Sequence, residues 1–286
     1  MEEYQNGQQP RWQKEPDQWH QGIPSTKKVR FETNELPFGA REAINVLRGN
    51  IQLSGYKLKA VGLTSSQENE GKSSMAFELA KSLASLDKKV VYIDCDIRNS
   101  VVRSRYKVGD RIVGLSEYLC GEVPIRDIVY KTQEPWLDLI FTGAVAPNPS
   151  ELISSELFSQ LMSQLRDFYD YVIVDTPPIN AVVDGVIACK QCDGTLLVVE
   201  CGVTDRASAI HAKRQLEFAG VKILGVVLNK VGARGSGYGY GYGYGYGYGY
   251  GYGYGYGKKY GYGYGEKKED KDKGKAKAKK KGVKKK

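Results

Sequence analysis

Six short apolar runs alternate with stretches of helical period through the middle of this chain. No other feature narrows the fold as far. The runs are LKAVGLTSS (58–66), KVVYID (89–94), LDLIFTG (137–143), YVIVD (171–175), GTLLVVE (194–200) and VKILGVVLN (221–229). Helical patterns follow at about 72–86, at 150–168 with Ser150 as N-cap, and at 205–219. Near-continuous apolar strands separated by helices are strands buried on both faces. They predict an α/β fold with a mostly parallel sheet flanked by helices. Ligands bind such sheets outside the carboxyl ends of the strands, so the residues just after each strand are the ones to read for chemistry.

The ends of the chain differ in composition from this middle. Residues 1–35 are rich in Gln, Pro, Trp and charge without a period, and read as a flexible N-terminal extension. Residues 232–286 hold little besides Gly, Tyr, Lys, Glu, Asp and Ala, and read as a disordered tail. Residues 36–231 remain as one domain, enough for a sizeable core. The net charge of +9 belongs to the tail, since residues 258–286 hold fourteen lysines against Glu266, Glu269, Asp270 and Asp272. The remainder is close to neutral, which argues against nucleic-acid binding by the domain. The lysine end is read either as a solubilising segment or as a contact with an anionic membrane surface. No apolar run approaches 18 residues, so no membrane-spanning helix is expected. Five cysteines without a secretory signal fit a reducing compartment. Cys189 and Cys192 form an isolated CxxC with no second pair or nearby His to complete a zinc site.

After the first run comes SQENEGKSS, residues 66–74. Its end fits G-x-x-x-x-G-K-[ST] with Ser66 in place of the first Gly. In such a loop successive backbone N–H groups turn toward phosphate oxygens, and the following helix N-terminus adds its positive end. Lys72 supplies a full charge to the β/γ-phosphates, and Ser73 offers a hydroxyl to Mg²⁺. The fold expected is therefore P-loop NTPase-like. Ser66, Gln67, Glu68, Asn69, Glu70, Gly71, Lys72, Ser73 and Ser74 are the nucleotide-binding candidates. Glu68 and Glu70, acidic in an anion-binding loop, must turn their side chains away from the phosphates.

The second run ends in Asp94-Cys95-Asp96-Ile97-Arg98 and the fourth in Asp175-Thr176-Pro177-Pro178. A strand-end Asp in a nucleotide site holds Mg²⁺ or its water. Three such carboxylates exceed what metal binding needs and leave one to accept a proton from an attacking hydroxyl. A turn-forming role explains one strand-end Asp, but not three beside a phosphate loop.

SSQENEGKSS, VVYIDCDIR and YDYVIVDTPP together resemble the three Walker motifs of bacterial protein-tyrosine kinases. PNPSELISS and GVVLNKV are also similar to that family. The resemblance covers roughly residues 35–232 and points to the separate cytoplasmic form of Gram-positive bacteria, which serves capsule and exopolysaccharide synthesis. It implies ATP and Mg²⁺ as cofactors, and Lys72, Asp94 and Asp96 as catalytic residues. Asp94 would accept the tyrosine proton, although the sequence does not place either oxygen of the Asp94–Asp96 pair. Ser73, Asp94, Asp96 and Asp175 would surround the Mg²⁺. Arg98 would help hold carboxylates or phosphates. Asn229 stands where related folds contact the adenine, or is a turn residue at a strand end. A helix bearing Glu-x-x-Arg-x-x-Arg joins subunits into a ring in the family. Here it reads Glu42, Asn45, Arg48, so Glu42 and Arg48 are the oligomer-contact candidates. The family's Pro-Gly ahead of Glu-Gly-Lys is replaced by Glu68 and Asn69. The resemblance also implies a transmembrane polysaccharide co-polymerase as activator, polysaccharide-synthesis enzymes as substrates, and a cytoplasmic location at the membrane's inner face.

The competing reading is a partition or septum-positioning ATPase of the same architecture. Those proteins carry a signature Lys early in the loop, where this chain has Gln67. They also leave the tail without a purpose. Tyr238, Tyr240, Tyr242, Tyr244, Tyr246, Tyr248, Tyr250, Tyr252, Tyr254 and Tyr256 alternate with Gly, and Tyr260, Tyr262 and Tyr264 follow. Gly at every second position disfavours a strand. A coil whose span grows as ~5–6 Å × √n brings a tyrosine twenty residues on to roughly 25 Å. These thirteen tyrosines are the phosphoacceptor candidates.

Overall fold

The computed structural model describes residues 23, 25, 27–32, 35–55, 57–102 and 112–232. The tail tyrosines lie outside the described residues.

A seven-stranded sheet organises the described residues. Its strands are β1 (Ala60–Ser65), β2 (Val90–Asp94), β3 (Val129–Lys131), β4 (Leu137–Ile140), β5 (Tyr171–Asp175), β6 (Gly194–Glu200) and β7 (Ile223–Asn229), in spatial order β3-β4-β2-β5-β1-β6-β7. Every pairing is parallel except β3 with β4. The helices are α1 (Phe38–Leu53), α2 (Lys72–Ala84), α3 (Leu115–Leu119), α4 (Pro149–Ser154), α5 (Glu156–Phe168), α6 (Asp184–Lys190) and α7 (Arg206–Phe218). The apolar runs form strands because each can bury both faces. In β2, Val90 and Tyr92 enter the core layer beneath α2, while Val91 and Ile93 enter the layer beneath α5. That is the period-two alternation of a strand with a helix layer on each side.

Three features depart from the sequence reading. β3 has only three residues, too few to show a period, and pairs as an antiparallel edge. The helix expected over 150–168 is two helices. Asn148 precedes Pro149 at the start of α4, a position where the missing proline N–H is harmless. Ser155 is extended (φ −68°, ψ 158°) and its hydroxyl accepts from Phe158 N–H, so Ser155, not Ser150, is the residue that caps a helix there. The third departure lies in the segment read as an extension. Ile23, Val29 and Phe31 are buried, Val29 N–H donates to Lys131 O at 2.9 Å, and Phe31 meets Phe77 of α2 edge-on at 4.8 Å. The packed body thus begins upstream of residue 36.

The strand order decides where the site forms. β2, β5 and β1 are neighbours, and Asp94 is the direct register partner of Asp175. The loop after β1 opens beside them and runs into α2, whose N-terminus starts at Lys72.

Candidate nucleotide site

The loop from Ser66 to Gly71 is held by its own side chains. Glu70 turns inward and is buried. Its carboxylate accepts from Ser66 Oγ (2.8 Å), from Gln67 N–H (2.9 Å) and from Thr204 Oγ1. The carboxylate serves as the loop's internal staple. Glu68 instead lies on the wall of the cleft. Asn69 has φ 63°, in the left-handed region that Gly fills most easily and Asn tolerates better than most residues. Asn therefore keeps the loop shape at a position where the related motif carries Gly.

Gly71 is required for two reasons. Its φ is 94°, and a Cβ there would lie 2.1 Å from Asn229 Nδ2. Asn229 closes over the loop from the end of β7. Its Nδ2 donates to Glu70 O (2.9 Å), and its Oδ1 accepts from Lys230 N–H (2.8 Å). Lys230 Nζ reaches Asn69 O (2.6 Å) and Glu200 (2.7 Å). Asn229 is thus engaged in shaping the loop.

Lys72 lies between the motifs. Its ammonium is 3.4 Å from Asp96 Oδ2 and 3.8 Å from Asp175 Oδ1, with Ser73 Oγ at 3.3 Å. Burial works to lower its pKa, but the charges of Asp175, Asp96 and Asp94 outweigh burial, and the group is held above 10.5. Lys72 is therefore a permanent cation. Asp94 is fully buried; desolvation first, then repulsion from Asp175, push its carboxyl up to about 8. It accepts from Ser100 Oγ and from Asp96 N–H (3.1 Å). Asp96 reaches the cleft, where Asp94 does not. Asp175 is also raised, chiefly by burial, against the pull of Lys72, Ser73 and Tyr92. Tyr92 O–H donates to its Oδ2 (2.9 Å), whereas Oδ1 is buried without a hydrogen-bond partner.

That unmatched oxygen bears on Mg²⁺. Among the described residues no three His, Cys, Asp or Glu side chains form a ready metal cage. Mg²⁺ needs less, since it keeps several waters and uses one or two carboxylates together with phosphate oxygens. Ser73, Asp96 and Asp175, with one buried oxygen that has the Lys72 ammonium at 3.8 Å but no hydrogen bond, fit such a cation. The cleft itself is lined by Asn69, Gly71, Lys72 and Ser73 on the loop side, by Asp96, Arg98, Asn99 and Val101 after β2, and by Pro177, Pro178, Ala181 and Val182 after β5.

A family model described as an AAA domain matches residues 58–210. The tyrosine-protein kinase CpsD of Streptococcus agalactiae is 42% identical over 190 residues, covering 66% of this chain and 82% of that protein. The chain belongs to the bacterial tyrosine-protein kinase family. The kinase domain of the Escherichia coli tyrosine kinase ETK superposes with a TM-score of 0.66 at 33% identity, over 74% of this chain and 88% of that one. The septum site-determining protein MinD of Pyrococcus horikoshii, solved with Mg-ADP, reaches a TM-score of 0.53 at 21% identity over 61% of this chain and 71% of its own, and shares the fold alone. Membership in the kinase family is favoured over the septum-positioning type. Gln67, the residue at the signature-Lys position, donates its amide to Ser208 Oγ of α7 (2.9 Å).

Other candidates lie elsewhere. Arg48 Nη1 donates to Ser82 O (2.9 Å) and Ser82 Oγ (2.8 Å), tying α1 to α2, and Glu42 accepts from Asn45 (3.0 Å). Cys189 and Cys192 are free thiols behind β1, with Cys189 pushed up by burial to about 11, which leaves it a poor nucleophile. Among the described residues no helix is long and apolar enough to cross a membrane. Sequence reasoning missed Asp184, whose buried carboxylate pairs with Arg98 at 2.6 Å. The short helix that carries it, α6, left no readable pattern in the sequence, so nothing there marked it.

Proposed function

We propose that this chain is an ATP- and Mg²⁺-dependent protein-tyrosine kinase that phosphorylates the tyrosines of its own tail, Tyr238–Tyr264, on the same or a neighbouring subunit. The observation that carries the reading is Lys72, a buried cation within 4 Å of both Asp96 and Asp175 at the foot of a glycine-opened loop. Backbone groups of residues 66–74 and the start of α2 bind the phosphates. Lys72 offsets charge on the transferring phosphoryl oxygens, which is most of what phosphoryl transfer asks of a protein. Ser73, Asp96 and Asp175 would hold a Mg²⁺, which would supply further positive charge at the phosphate oxygens.

The phenolic oxygen bonds to the γ-phosphorus as the bond to the ADP oxygen breaks, and the phenolic proton passes to the Asp94–Asp96 pair. Asp96 is the member that lines the cleft. Asp94 lies fully buried directly behind it and accepts from Asp96 N–H. A ring of subunits would use Glu42 and the exposed face of α1; Arg48 would have to give up its bonds to Ser82 to take part. A cytoplasmic segment of a transmembrane polysaccharide co-polymerase is the proposed activator, and polysaccharide-synthesis enzymes at the inner membrane face are the proposed external substrates.

Incubation with Mg-ATP, with and without an activator segment, followed by mass spectrometry tests the reading. Tail phosphotyrosine is expected, and Lys72→Ala should abolish it. ATP hydrolysis with an unmodified tail would overturn it.

A further inference from the structure

Three segments that are far apart in sequence meet at Arg98. It follows the β2 carboxylates, Ser150 belongs to PNPSELISS, and Asp184 opens α6 after the β5 motif. Arg98 Nε donates to Asp184 Oδ2 at 2.6 Å and Nη2 to Asp184 Oδ1 at 3.3 Å, a forked pair. Nη2 also reaches Ser150 Oγ at 3.1 Å, and Ser150 in turn donates to Asp184 Oδ1. Both oxygens of Asp184 are thus occupied, and its side chain is 1% exposed. Arg98 is 42% exposed and lines the cleft with Lys72 and Asp96. Its Nη1 has no partner among the described residues.

A buried carboxylate fixed on a strongly packed element is an expensive way to hold a surface arginine. Asp184 is so fixed: a Cβ on the next residue, Gly185, would lie 2.4 Å from Pro177 O, so α6 sits directly on the turn that follows Asp175. The guanidinium is planar and directional, and two of its three nitrogens are pinned, so the third is aimed rather than free to wander. We infer that Arg98 contacts the phosphoryl group during transfer through this third nitrogen, and that Asp184 and Ser150 are positioning residues that act only through Arg98. The inference rests on the kinase reading and adds to it a second protein cation, on the wall facing Lys72. It also gives the PNPSELISS segment a task, that of supplying the hydroxyl that completes the clamp.

The test is a double-mutant cycle on the full chain, measuring tail phosphorylation and ATP KM. R98K, which keeps the charge and loses the fork, should lower kcat roughly tenfold or more with little change in KM for ATP. D184N should lower kcat similarly, and S150A by less. The R98A/D184N pair should be no worse than R98A alone, because Asp184 has nothing left to position. Millimolar guanidinium should restore part of the activity of R98A, by binding Asp184, and none to R98A/D184N. Additive losses in the cycle, full activity in D184N, or rescue that is indifferent to Asp184 would overturn the inference. If D184N fails to fold, the same cycle run with S150A decides it: the S150A/R98A pair should be no worse than R98A, and additive losses would overturn the inference. Absence of tail phosphorylation in the wild-type chain would instead sink the kinase reading itself.

Discussion

Glu70 and Asp175 are both buried carboxylates of the same site, less than a turn of loop or one strand from Lys72, and they are treated in opposite ways. Glu70 meets three donors, from Ser66, Gln67 and Thr204. Asp175 meets one, from Tyr92, and leaves an oxygen with no hydrogen bond. Burial of a charge is tolerable when its hydrogen-bonding capacity is filled and costly when it is not. The first carboxylate is therefore scaffold, stabilising the loop at rest. The second faces the Lys72 ammonium at 3.8 Å without a hydrogen bond, and keeps room for a closer cation. The difference separates residues that shape the site from residues that act in it, although both look alike in the sequence.

The sharpest way to break this contrast is Asp175→Asn. Transfer should fall by about 100-fold or more, in line with removal of an electrostatic element from a buried site, while the melting temperature stays level or rises. A clear loss of stability would show that Asp175 is scaffold after all. Asp94 gives the next effect. Its folded pKa of about 8 lies above its ordinary 3.8, so the folded state holds a proton that the unfolded state has released. Without Mg²⁺, stability should therefore fall as pH rises from about 4 to 8, by at most about 1.4 kcal/mol per pH unit, and level off above. Asp94→Asn should flatten that slope in urea titrations done in a chelator. Glu70→Gln should show the scaffold pattern, with about 1–3 kcal/mol less stability and a weaker KM for ATP but kcat within a few-fold. A collapse of kcat alone would move Glu70 into the acting group. Asn69→Ala should cost about 1 kcal/mol through its left-handed φ, and Asn69→Gly little, as read by thermal melts.

The fold was legible where physics repeats. Strands buried on both faces must be apolar along their whole length, and six of the seven described strands announced themselves that way. β3 did not, because VYK is too short to carry a pattern. The split at Ser155 was hidden by continuous helical periodicity; a single extended residue inside an amphipathic run leaves no trace in spacing. At the site, Lys72, Ser73, Asp94, Asp96 and Asp175 were readable because each stands at or just after the carboxyl end of a strand, and the structure brings them together. Glu70's three bonds, Asn229's hold on the loop and the Arg98–Asp184 pair were not, since they join residues up to 159 positions apart. Arg48 is a further case. The resemblance marks it for an oligomer contact, and in the structure its guanidinium donates to Ser82 of α2, a bond the sequence did not announce.

Asn229 and Lys230 shape the phosphate loop from the far end of the domain. A chain emerging from the ribosome makes the loop well before these two residues, and a domain folds as a unit. The loop therefore lacks its clasp until the whole domain has been made. A nascent or prematurely ended chain displays the nucleotide motif without the groups that hold it in register. The clasp on the loop and the start of the tyrosine tail are thus neighbours in the chain.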